Sequence, residues 1–262
     1  MTPVAHTIAV EGVRRSFLLA APAAEVSAVV LSLHGTRSSA AGQARLSRMA
    51  GLADSAGAVV VFPEAIVPVG SGFEWDHDGD MPYLRQLVAE LRGCYPTPTG
   101  RVCIAGMSGG ARMACHFASS DAEAVTMVGA VAGLRAPEGT APSRPVPVLA
   151  FHGTSDRINP YEGSGSARWD ESVPEAARRW AVANGTPSQA VTTAVSPALT
   201  RTTYASEGGV GEVTLWTARG AGHTWPGTRL GPFLRMFLGR TTTEIDATAQ
   251  IWSFAQRHSA EL

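Results

Sequence analysis

The chain has 262 residues, 45% of them hydrophobic, and a formal net charge of −1. That length and apolar content suit one large core and a single domain spanning 1–262. All 21 basic residues are arginines scattered along a near-neutral chain, which disfavours nucleic acid and anionic membrane as partners, and no apolar run reaches the roughly 18 residues of a membrane span.

Met1 to His6 shows no basic region followed by an apolar core, so no signal peptide is read. A chain complete as given is expected in the cytoplasm; one from which a leader was removed is expected to be secreted. The segments around 7–10 and 14–19 are predicted to form an antiparallel hairpin at a sheet edge. Strand-like apolar runs follow at 26–33, 58–62, 101–105, 125–132, 146–151 and 212–217. Helical patterns lie between several of them, which predicts a mostly parallel sheet covered on both faces, an α/β class fold.

Leu84, Leu87, Val88 and Leu91 keep helical spacing, with Asp80 as the expected cap and Pro82 tolerated in the first turn. Ala111 to Ala118 reads as a helix of mostly small residues. Ser172 and Glu175 form a capping-box pattern and Gly185 supplies a stop, predicting a helix over 172–184. The last helix, near 244–257, is expected to place Ile245, Ala249 and Trp252 on one face. The apolar run 232–238 is expected either to line a site or to be buried, with burial favoured. Cys94, Cys103 and Cys115 do not make a disulfide framework.

The chemistry concentrates at strand ends. Gly106-Met107-Ser108-Gly109-Gly110 follows the 101–105 run and precedes the Ala111 helix, so Ser108 sits on a tight strand-to-helix turn where glycines permit close backbone approach. A serine hydroxyl needs a histidine base and a carboxylate that orients it. The 146–151 run opens into His152-Gly153-Thr154-Ser155-Asp156, and the 212–217 run leads to Gly222-His223-Thr224-Trp225-Pro226-Gly227. Ser108, Asp156 and His223 then stand in the order of an α/β-hydrolase triad, with Asp170 and Glu171 as alternative carboxylates. The backbone amides of Gly109 and of Thr36, in His34-Gly35-Thr36 after the 26–33 run, are the expected oxyanion donors. His34 and His152 are read as loop braces.

A phosphate-binding reading of the glycine-rich turn fails because the chain has no lysine. Asp76-His77-Asp78-Gly79-Asp80 bunches possible metal ligands but lacks the glycine and glutamate spacing of a calcium loop, so a solvated turn is expected and no metal or cofactor is invoked.

Leu33-His34-Gly35, Gly106 to Gly110, Phe151 to Asp156 with Pro160-Tyr161, and the Gly222 to Gly227 segment resemble the polyhydroxybutyrate depolymerase and feruloyl esterase branch of the α/β-hydrolases, which includes acetylxylan-esterase-like members. The resemblance implies an α/β-hydrolase fold, and no large lid insertion is evident between the sixth and seventh core strands. The resemblance also implies a Ser108, Asp156 and His223 triad and Trp225 at the acyl or aryl pocket. Trp75, in the aromatic stretch Gly72-Phe73-Glu74-Trp75, is a further expected substrate contact. The expected activity is hydrolysis of a small or oligomeric carboxylic ester through an acyl-enzyme. A thioesterase or acyltransferase with the same triad, or a non-catalytic binding protein on this fold, are the alternatives; reaction of Ser108 with a fluorophosphonate separates the last from the others.

Overall fold

The computed structural model describes every residue except 24, 98–101, 140, 167–168 and 260–262. Arg101, the first residue of one expected strand, therefore lies outside the described residues. The N-terminal hairpin is present as β1 (Val4–Val10) and β2 (Val13–Ala20). Then come β3 (Ala28–Leu33), α1 (Ala40–Ser47), α2 (Leu52–Ala56), β4 (Ala58–Pro63), a small hairpin of β5 (Val67–Val69) and β6 (Gly72–Glu74), and α3 (Met81–Cys94). The middle of the chain forms β7 (Val102–Met107), α4 (Gly109–Ser120), β8 (Val125–Val131), β9 (Val148–Gly153) and α5 (Val173–Ala183). It ends with β10 (Val191–Ser196), β11 (Leu199–Tyr204), β12 (Val213–Ala218), α6 (Pro232–Leu238) and α7 (Ala247–Ser259).

Ten strands make one sheet in the order β1-β2-β4-β3-β7-β8-β9-β12-β11-β10. The six from β4 to β12 run parallel, and the outer pairs are antiparallel. Every residue of β4, β7, β8 and β9 is buried, as a strand covered on both faces requires; such strands read in sequence as unbroken apolar runs. One face packs on Tyr83 and Leu87 of α3, Phe117 of α4 and Trp180 of α5. The other packs on Ala53 of α2 and on Ile251 and Phe254 of α7.

The predicted 172–184 helix is found as α5, where the Ser172 hydroxyl accepts from the Glu175 amide at 3.3 Å and Gly185 takes φ 69°. Two expectations need correction. Helix α7 begins at Ala247, so Ile245 precedes it; its buried face is Ala247, Ile251, Phe254 and Ala255, while Ala249 is exposed. Asp80 occupies the position before α3, yet its side chain caps nothing in that helix.

Asp80 is drawn away by a stronger partner. Its fully buried carboxylate pairs with Arg15 from β2 and accepts from the Asp76 amide at 3.0 Å, and the Arg15 guanidinium lies 3.9 Å from the centre of the Tyr83 ring. Removing one member of a buried ion pair leaves the other charge without compensation. Asp80→Ala is expected to cost about 3–5 kcal/mol of stability, read as a fall in urea midpoint. A midpoint within experimental error of the native protein would refute this account of the pair.

Candidate active site

Ser108 follows β7 directly and holds φ 54° and ψ −117°, a conformation costly for a residue with a Cβ. Its amide donates to Val131 O at 2.8 Å, which ties the turn to the neighbouring strand. The glycines around it are sterically required: a Cβ on Gly106 would strike the Gly110 carbonyl, and one on Gly110 would strike the Leu33 and His34 carbonyls. Strand, turn and helix are thus pressed against the loop that leaves β3.

That loop carries Thr36. A Cβ placed on Gly109 would sit 3.1 Å from Thr36 N, so the two residues expected to supply oxyanion amides are in contact. Buried His34 braces the loop: its Nδ1 is 2.9 Å from Gly35 O, and its Nε2 is 3.2 Å from Ala65 N and 3.1 Å from Glu64 Oε1. The Trp75 indole N–H donates to His34 O at 2.8 Å. Thr36, Gly109, Glu74, Trp75, Asp76, His77 and Arg112 line a cleft of about 290 Å³. Trp75 therefore lines the cleft and also pins the loop that carries Thr36, a double placement that the sequence does not reveal.

Asp156 lies three residues beyond β9. Its Oδ1 accepts from the amides of Ile158 at 2.9 Å and Asn159 at 2.8 Å, and its Oδ2 is 2.7 Å from His223 Nδ1. Burial alone would raise the carboxyl pKa; hydrogen bonds from His152 and His223 outweigh it and hold the group well below its usual 3.8. His223 sits in the loop after β12, its amide donating to Leu238 O at 2.7 Å while Gly222 N donates to Arg240 O at 2.8 Å. Since β7, β8, β9 and β12 are successive parallel strands, Ser108, Asp156 and His223 all emerge at the carboxyl edge of the sheet, where ligands of open α/β sheets bind. Asp170 and Glu171 are engaged elsewhere, with Arg135 at 3.3 Å and Arg179 at 3.0 Å.

Other expectations are placed differently. Trp225 is 0% exposed and its indole N–H donates to Thr248 Oγ1 at 3.1 Å, so it packs under α7 rather than facing a substrate. The 232–238 run is neither buried nor part of the described cleft: it forms α6, with Phe233 and Met236 each 70% exposed. The Asp76 cluster folds on itself, Asp76 Oδ1 accepting from the amides of Asp78 and Gly79. No group of three or more histidine, cysteine, aspartate or glutamate side chains suited to a metal occurs among the described residues. His77 stacks on His116 with centroids 5.1 Å apart, a pairing across 39 positions that no local pattern reveals. His152, read as a loop brace, does hold Asn159 O at 2.8 Å, but also lies 3.4 Å from Asp156 Oδ2. Its spacing of four from Asp156 at a strand end does not separate this contact from a loop brace.

No protein-family model matches the chain. Among curated proteins it is 28% identical to a putative esterase, NocK, of Nocardia uniformis subsp. tsuyamanensis, over 93% of this chain and 80% of that protein. It is 31% identical to the bifunctional acetylxylan esterase/xylanase XynS20E of Neocallimastix patriciarum, over 58% of this chain and 23% of that protein. Similar solved structures include an acetyl xylan esterase from Aspergillus awamori, with TM-score 0.64 and 17% identity over 84% of this chain and 94% of that one. An S-formylglutathione hydrolase from Agrobacterium tumefaciens gives TM-score 0.61 and 15% identity over 97% and 94%. The fold is that of an α/β-hydrolase, the resemblance to esterases on that fold is borne out, and these relatives support a carboxylic ester hydrolase.

Proposed function

We propose that this α/β-hydrolase is a serine esterase in which Ser108 attacks the ester carbonyl and His223 takes its proton. Asp156 holds the imidazole with Nδ1 protonated, leaving Nε2 as the base, and the amides of Gly109 and Thr36 receive the developing oxyanion. His223 then protonates the leaving alcohol, and water releases the acyl group by the reverse proton traffic. The observation that carries this reading is the 2.7 Å bond between His223 Nδ1 and Asp156, at the same sheet edge as a serine held in a strained turn.

The substrate is a carboxylic ester of short-acyl, hydroxyalkanoate or feruloyl type. Support for a compact or polar substrate comes from the cleft beside the oxyanion amides, whose walls include Glu74, Asp76, His77 and Arg112. Such walls are poorly suited to desolvating a long aliphatic chain. A side-by-side assay of acetyl, feruloyl, hydroxybutyrate-oligomer and long-chain nitrophenyl esters tests this reading. Faster turnover of the first three is expected; hydrolysis confined to long-chain esters would overturn the substrate assignment. Labelling of Ser108 by a fluorophosphonate tests the mechanism independently of substrate.

A further inference from the structure

We infer that His152 is a positioning residue that shares the carboxylate of Asp156 with His223 and thereby sets the pH at which the base works, an inference that rests on the triad proposed above. His152 Nε2 lies 2.8 Å from Asn159 O and 3.4 Å from Asp156 Oδ2, the oxygen that also faces His223 Nδ1 at 2.7 Å. A carbonyl and a carboxylate can only accept, so Nε2 must carry a proton. At the far side of the ring Nδ1 is buried without a hydrogen-bond partner among the described residues. A proton there would be an N–H with nothing to receive it, so Nε2 is the hydrogen-bonding nitrogen of the ring. His152 is therefore an N–H donor divided between the Asn159 carbonyl and the triad carboxylate.

The consequence is electrostatic. Each donor on Oδ2 withdraws electron density from the oxygen that holds His223 Nδ1, so the second donor weakens the carboxylate's hold on the imidazolium that forms when His223 takes the serine proton. Tyr161 is a further ionisable group against His152, with ring centroids 6.0 Å apart and its hydroxyl bonded to Thr217 Oγ1 at 2.9 Å. The strand neighbour of His152 on β12 is Thr217, which is neutral.

The test is the pH profile of fluorophosphonate labelling at Ser108, and of kcat/KM, in the full chain. His152→Phe removes the donor and is expected to raise the midpoint of the acid limb by about half a pH unit. His152→Gln, whose amide nitrogen reaches the place of Nε2, is expected to restore the native midpoint. An unmoved midpoint in His152→Phe, or a midpoint in His152→Gln shifted as far as in His152→Phe, overturns the inference. Should the phenylalanine variant not fold, His152→Met removes the same donor with a more adaptable side chain and is read against His152→Gln in the same way. His223→Ala separates the two levels: if labelling survives it with an unchanged profile, the triad itself fails, whereas loss of labelling with an unmoved His152→Phe midpoint defeats only the role of His152.

Discussion

Ser108→Ala is expected to lower ester turnover by on the order of 10⁶ while leaving the folded structure intact. The size of the loss follows from the nature of covalent catalysis. With no hydroxyl at 108 there is no acyl-enzyme, and what remains is substrate binding beside the Gly109 and Thr36 amides, which supplies only a residual acceleration over water. The fold should survive because alanine keeps the Cβ and the backbone bond from residue 108 to Val131 O, and φ 54° is no worse for alanine than for serine. Circular dichroism and the urea midpoint check the second half of the expectation, and initial rates with an acetyl ester check the first. A folded Ser108→Ala protein that keeps most of the native activity would leave the serine mechanism without a nucleophile.

Asp156→Asn is expected to reduce kcat by about 10⁴ at neutral pH. The surroundings dictate how the amide must lie. Oδ1 receives two backbone N–H groups, from Ile158 and Asn159, so the amide oxygen of the variant has to remain there. Its NH₂ is then placed where Oδ2 faced His223 Nδ1, and it donates to that nitrogen. The imidazole is forced into the tautomer protonated on Nε2, which cannot accept the proton of Ser108. Turnover measured from neutral to alkaline pH reads this directly. A variant within about tenfold of the native rate at neutral pH would show that Asp156 does not set the tautomer.

The parallel centre of the sheet is legible because burial on both faces leaves no room for polar alternation; β4, β7, β8 and β9 appear as apolar runs with boundaries off by one or two residues. The hairpin of β10 and β11 is not. Its sequence, Val-Thr-Thr-Ala-Val-Ser followed by Leu-Thr-Arg-Thr-Thr-Tyr, is rich in β-branched residues but faces solvent on the outer strand, where all but one residue is exposed. Helix α6 shows the opposite failure. Its composition argues for burial, yet burial needs a partner surface, and which surface the chain supplies there is a property of the whole fold. Asp80 reads as a cap because its sequence neighbours do not show the distant cation that draws it away, and Arg15 lies 65 positions away. The order Ser108, Asp156, His223 and the loop at Thr36 could be read from strand-end context alone. The second imidazole on Asp156 could not, since a histidine at a strand end reads equally well as a loop brace, and His152 is that too.

The excursion between His223 and Arg240 is closed at its neck by Gly222 N to Arg240 O, His223 N to Leu238 O and the bridge between Ala221 and Arg240. Position along this loop therefore decides how damage propagates. A protease cutting at its outer, exposed stretch, after Arg229, would sever the chain without touching the neck, and the imidazole would stay seated by carbonyls belonging to the C-terminal fragment. Disturbing Gly222, whose Cβ would collide with the Leu238 carbonyl, would open the neck itself and unseat the histidine from an otherwise uncut polypeptide.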